Sequence, residues 1–140
     1  MTPATLLAFL RRHKLGVVST VSLQGEPQAA VVGVAFTDHL EVIFDTLDTS
    51  RKCANLRRDP RIAIVVGWDA EITVQLEGIA DEPTGEERDR ILAAYFIPYP
   101  DGRDRLSWPG ITHFRVRLDW ARYSDFSPGG QIVEWTEAEL

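Results

Sequence analysis

The chain is poor in the residues that build metal and disulfide sites, with one cysteine and three histidines in 140 residues. A lone Cys53 excludes an internal disulfide and any cysteine-based metal cluster. His13, His39 and His113 share no ligand-like spacing, so no zinc donor set is expected, and each reads as a surface or turn residue. Positive charge is in deficit, with 15 Lys and Arg against 21 Asp and Glu and a formal net charge of −6. That balance argues against a general nucleic-acid binder. No apolar run approaches the roughly 20 residues that span a bilayer. "MTPATLLAFLRRHK" places its basic residues after the apolar stretch, the reverse of a signal peptide. A soluble, cytoplasmic protein with no membrane or nucleic-acid partner is therefore expected. There is no G-x-S-x-G, and no glycine-rich turn within a βαβ unit, so a nucleophile elbow and a Rossmann domain are both disfavoured.

What is present is a succession of short strand-like segments. Hydrophobic residues make up 44% of the sequence, enough for one core in a single domain over residues 1–140. Thr2-Pro3 opens a first helix with Leu6, Leu7, Phe9 and Leu10 on one face. "GVVSTVS", "QAAVVGVAF" and "LEVIFDT" follow as strands, with a turn on Gly25 and Pro27 between the first two. Thr49 or Ser50 caps a two-turn helix through Arg58, which Asp59-Pro60 stops. "RIAIVVGW" and "EITVQLEGIADE" are strands joined near Asp69-Ala70. Thr84 caps the next helix, and Glu87 three residues later completes a capping box. A Pro/Gly/Asp-rich loop covers roughly 98–112, and "HFRVRLDWARYSDF" and "QIVEW" end the chain as strands. Six or seven strands in hairpin order, with helices only at the edges, predict a mainly β fold built as a small antiparallel barrel.

The segment "DTLDTSRKCANLRRDP" is out of character for an acidic protein, because it gathers Arg51, Lys52, Arg57 and Arg58, with Arg61 just beyond. If Ser50 caps the helix, the free N–H groups of the first turn and the positive end of the helix dipole form an anion site. Arg51 and Lys52, at the first helical positions, can reach the same anion, one as a planar fork and the other as a mobile point charge. Arg57 and Arg58 are better explained as dipole partners at the other end. A dianionic phosphomonoester suits such a seat.

The run "TSRKCANLRRDPRIAIVV", set after a strand, a G-x-P turn and a second strand, resembles the pyridoxamine 5′-phosphate oxidase-like FMN-binding split barrels. The resemblance spans most of the chain, from "LLAFLRRHKLGVVSTV" to "WARYSD". It implies a six- to seven-stranded antiparallel split barrel with flanking helices, and a homodimer with FMN at the interface. Position by position, it implies that Ser50, Arg51 and Lys52 hold the FMN phosphate and that Asp45 and Thr46 line the flavin. Ala30, Val31, Val32, Gly33 and Val34 would run along the ring and ribityl chain. Thr73 falls where the family places a polar residue near the cofactor, and Trp135 resembles an aromatic that closes over the ring from the partner chain.

Two departures set the chain apart from the vitamin B6 oxidases of that family. Ala30 stands where those enzymes commonly carry Arg, and the chain ends in the acidic "IVEWTEAEL", where Glu134, Glu137 and Glu139 would repel a substrate phosphate. The resemblance thus implies a small relative, an FMN-dependent oxidoreductase acting on a small organic substrate with a reduced nicotinamide as electron donor. A flavin carries its own redox centre, so no catalytic side chain is required of the protein. Three alternatives remain open: a reductase using the deazaflavin F420, a non-enzymatic flavin or haem carrier, and a barrel that has lost its cofactor. A haem would need His39 or His113 as its axial ligand. Trp108, in the Pro/Gly-rich loop, is the candidate for a substrate-facing lid.

Overall fold

The computed structural model describes residues 1–140. Its elements in chain order are α1 (Pro3–Leu10), β1 (Leu15–Val21), β2 (Pro27–Gly33), β3 (Ala35–Phe36), β4 (Val42–Leu47), α2 (Arg51–Arg58) and β5 (Arg61–Val66). There follow β6 (Ile72–Asp81), α3 (Gly85–Tyr95), α4 (Gly102–Arg105), β7 (Ile111–Asp125), β8 (Ile132–Thr136) and a terminal 3-10 turn. All strands belong to one antiparallel sheet in the order β2-β1-β5-β6-β7-β4-β3. β8 adds to β7 farther along the edge that β4 occupies. No helix is long and apolar enough to cross a membrane.

The sheet curls until its two ends meet, and residue 34 makes the junction. Residues before Val34 pair with β1, and those after it pair with β4, at the opposite end of the sheet order. "QAAVVGVAF" is therefore two strands and not one, which brings the count to eight, one above the expected range. β2 and β4 approach each other without a backbone ladder. That unpaired seam is the split in the barrel. It leaves one edge of β2 with N–H and C=O groups unclaimed by a neighbouring strand, a row of ready hydrogen-bonding sites.

Strand alternation divides the apolar residues between two cores. Val18, Phe44, Ile64, Val74, Leu76 and Val116 point into the barrel, and Leu6, Phe9 and Leu10 of α1 plug one end of it. Ala35, Ile43, Ile91, Leu92, Tyr95 and Phe96 form a smaller core between the sheet's outer face and α3. Each fully buried large side chain contributes about 1.5–3 kcal/mol, so the barrel interior carries most of the stability. At Glu77/Gly78 the β6–β7 register shifts by a bulge, and a Cβ on Gly78 would lie on top of the Arg117 carbonyl. Glycine is required there because the two backbones touch.

α1 begins as expected, with Thr2 as a reciprocally bonded cap and Pro3 at the first helical position. α3 does not. Thr84 makes no side-chain cap bond, and the Glu87 carboxylate, drawn to Arg90 and Arg115, does not return to the Thr84 N–H. Those arginines belong to a polar network across the sheet's outer face. Arg90 grips Glu41 through two bonds of 2.7 and 2.9 Å, and Arg115 bridges Asp81, Glu87 and Glu41. Burial pushes the Glu41 carboxyl up, but hydrogen bonds from Arg90 and Thr37 and the charges of Arg90 and Arg115 outweigh it and hold it at about 2. The network fixes α3 against β4 and β7.

Candidate functional site

The basic segment sorts itself by partner. Arg57 pairs with Glu82 at 2.9 Å, Arg61 with Asp59 at 2.7 Å, and Arg58 donates to the Val21 carbonyl. Arg51 and Lys52 have no carboxylate partner and stand at the start of α2. Ser50 is the cap, accepting from the Cys53 N–H at 3.2 Å, and its hydroxyl lies 2.9 Å from that of Thr46. Lys52 Nζ reaches the Thr46 hydroxyl at 3.4 Å, a long contact that leaves the ammonium available. Two cations without carboxylate partners, the first turn of an eight-residue helix and two hydroxyls thus lie within residues 46–53. Such a set of donors can serve an anion.

The seat opens onto β2. Arg51 and Lys52 share a cleft of about 100 Å³ with Val18 and Thr20 of β1 and Gln28, Ala29 and Ala30 of β2. α2 is pinned over the strands by Asn55, which is buried and donates to Thr20 at 3.0 Å and to Gln28 at 2.9 Å. Asn55, Thr20 and Gln28 were not expected in this role. The asparagine inside an otherwise charged helix was the signal, because a buried amide in a helix needs partners. Cys53, on the buried side of α2, has its thiol pushed up by burial and is inert.

The other expected residues divide. Ala30, Val31, Val32 and Gly33 occupy the free-edged strand, and Val34 lies at the crossover, buried. Thr46 joins the seat, but Asp45, on the opposite face of β4, does not. Its carboxylate accepts from Arg105 Nε at 2.8 Å beneath α3 and α4, beside Tyr95 and His113. Thr73 pairs with Ser124 near the far end of β7, whereas Thr46 pairs with Thr112 near its start. One chain therefore does not bring Thr73 to the seat. Trp135 is 5% exposed in the barrel core, so its ring is not presented to a second chain. Trp108 is exposed in the loop before β7.

Two further side chains stand beside these residues, Tyr99 against Gly33 and His113 opposite Asp45. Tyr99 lies against β2, so close that a Cβ on Gly33 would sit 2.8 Å from its ring. Its hydroxyl donates to the Lys14 carbonyl, and Tyr95 stacks behind it at 5.1 Å. His113 is not a surface residue. It is 7% exposed, its Nε2 has no partner, and burial pushes its pKa down.

A curled antiparallel sheet with an open seam and helices at its edges defines a split-barrel fold. Comparison with known proteins agrees. Residues 2–122 match the family described as pyridoxamine 5′-phosphate oxidase, and the chain belongs to that family. It is 33% identical over 104 residues to the pyridoxine/pyridoxamine 5′-phosphate oxidase of Burkholderia multivorans, a match covering 74% of this chain and 47% of that protein. With the corresponding protein of Thermobifida fusca it shares 36% over 93 residues, 66% of this chain and 40% of the other. The chain thus spans about half the length, or less, of these curated relatives. Among solved structures, a heme binding protein from Mycobacterium smegmatis superposes with a TM-score of 0.84 at 20% identity, covering 99% of this chain and 60% of that one. General Stress Protein 26 from Bacillus anthracis superposes at 0.71 and 17% identity, covering 96% of this chain and all of that one. At such identities these structures speak for the fold alone.

Proposed function

We propose that the protein is an FMN-dependent oxidoreductase acting on a small organic substrate, with the flavin held at the interface of a homodimer. One observation carries the reading: Arg51 and Lys52, free of carboxylate partners, face Ala30 of the free-edged strand β2 across a small cleft. The residues present fit the cofactor's two ends. The capped start of α2 suits a dianionic phosphate, and the unpaired edge of β2 suits the donors and acceptors of a ring edge. Ser50, Thr46, Arg51 and Lys52 would hold the phosphate, with residues 30–34 beside the ring. When bound, the flavin supplies the electron transfer itself, and the chain anchors, orients and desolvates.

The dimer has its own support. Val31, Val17 and Val65 form one outward cross-strand row on β2, β1 and β5, flanked by the row Ala29, Ser19 and Ala63, and Val31 is 61% exposed. No helix covers these rows, and a second copy of the chain would both bury them and bring a second set of residues, Thr73 among them, toward a flavin. A vitamin B6 phosphate suits the chain poorly, since Ala30, in the cleft beside Arg51 and Lys52, offers no cation of its own. The haem alternative finds no ligand in His113, which is buried with no open side, and His39 is exposed on the turn before β4. The deciding experiment reconstitutes the protein with FMN and adds NADH or NADPH without oxygen. Bleaching of the bound flavin supports the oxidoreductase. Retention of FMN without bleaching by either donor, and with no organic acceptor reoxidising the chemically reduced flavin, reduces the protein to a carrier.

A further inference from the structure

A second cleft lies away from the α2 seat and shares no lining residue with the cleft there. About 540 Å³ in volume, it runs between the end of α1, β3 with the turn after it, and one face of α3. That size is typical of small-molecule sites. Its floor is Val34, Ala35 and Phe36, all buried. α3 contributes Ala93 and Ala94 at positions where bulkier side chains would fill the space, with Ile97 and Pro98 beyond.

The mouth of this trough carries hydrogen-bond donors. Arg11, His13, His39 and Arg90 line it, with Asp38 as the one carboxylate in its lining. Arg90 is spent, with Nε, Nη1 and Nη2 all committed to Glu41 and Glu87. Arg11 is not. Its Nε and Nη2 donate to the Phe36 carbonyl, Nη2 also reaches Asp38, and Nη1 is free. Asp38 has a side chain 86% exposed, so its pairing with Arg11 is solvent-screened and readily exchanged. The imidazole of His39 is exposed, and that of His13 packs on Phe9 at 4.7 Å. Arg11 also opens the run Arg11-Arg12-His13-Lys14, a second basic cluster in an acidic chain. The α2 seat makes no use of it.

We propose that this cleft is a second binding site, for an amphipathic anion: an aliphatic or aromatic carboxylate or sulfonate. The apolar body lies between the floor at residues 34–36 and the two alanines of α3. The head group displaces Asp38 from Arg11 and takes a further hydrogen bond from His13. The site shares Val34 with the strand proposed to lie beside the flavin ring but no residue with the α2 seat, and its assignment does not depend on the flavin.

The test uses anilinonaphthalene sulfonate as a fluorescent probe, decanoate and decyltrimethylammonium as competitors, and two variants. Wild-type protein is expected to bind the probe saturably, one per chain, with decanoate displacing it and the cationic amphiphile not. Ala93→Trp, at an exposed helix position, fills the trough and should weaken the probe at least tenfold, on the order of the penalty for overpacking. Arg11→Gln removes the charge while keeping a donor, and should weaken binding about tenfold and flatten its salt dependence. FMN titrations of both variants should match wild type, which separates failure here from failure of the flavin reading. Absence of wild-type binding overturns the proposal, as does equal displacement by the cation. So does undiminished binding in Ala93→Trp at an unchanged melting temperature. Should Ala93→Trp melt early, Arg11→Gln decides alone.

Discussion

Replacing Arg51 and Lys52 together by alanine should abolish discrimination between FMN and riboflavin. Charge-assisted contacts are worth about 1.5–3 kcal/mol each, so losing two removes about 3–6 kcal/mol. The FMN dissociation constant should then rise between about a hundredfold and ten-thousandfold. The fold should barely notice. Neither side chain has a carboxylate partner, and the one contact of Lys52 is a 3.4 Å approach to Thr46. Surface changes of this kind stay within about 0.5 kcal/mol. The assay is quenching of flavin fluorescence, run with FMN and with riboflavin, which lacks the phosphate. Wild type should prefer FMN by the factor that the double variant loses, and the variant should bind both flavins alike. Unchanged FMN affinity would refute the seat. Equal loss of riboflavin and FMN would show that the arginine and lysine act through the fold.

Three further outcomes follow from the same geometry. Asn55→Ala leaves Thr20 and Gln28 without a buried partner and should cost about 1–3 kcal/mol, read as a lowered denaturant midpoint; an unchanged midpoint would mean that water satisfies both. Gly78→Ala drives a Cβ onto the Arg117 carbonyl and should destabilise by about 1–3 kcal/mol, whereas Gly85→Ala, at an open position with positive φ, should cost less. Acid should unfold the protein in two stages. Burial depresses the His113 pKa, with Asp45 opposing and Arg88 and Arg105 assisting. Below the ordinary value near 6.5 the unfolded chain therefore binds more protons, and stability falls. Glu41, held at about 2 against an ordinary 4.5, contributes about 3 kcal/mol that is present above pH 4.5 and lost as pH falls toward 2. A denaturant midpoint flat from neutral pH to pH 3 would contradict both.

Much of the fold was legible because strand alternation and turn residues are local. The Ser50 cap and the division of Arg51 and Lys52 from Arg57 and Arg58 were legible for the same reason, since helix ends dictate which charges remain free. What escaped is long-range. "QAAVVGVAF" has only Gly33 as an internal breaker, too weak a signal on its own to divide the run, and the sheet's closure makes it change partners at Val34. The Thr84 capping box failed because Arg115, 28 residues on, outbids the cap for Glu87. Asp45 and Thr46 were expected on one surface, although period-two alternation puts neighbours on opposite faces, and Arg105 claims the former. Trp135 is buried in the barrel core and His113 under α3 on the sheet's outer face, and both placements depend on β7 meeting its neighbours in the fold.

The central claim, that the start of α2 is a phosphate seat for FMN, is tested most directly by the visible spectrum of the protein after mixing with FMN and desalting. The account predicts that the two bands of oxidised flavin co-elute with the protein, one per chain, while riboflavin washes away. Loss of FMN on the column, with deazaflavin F420 or haemin retained in parallel runs, would contradict it.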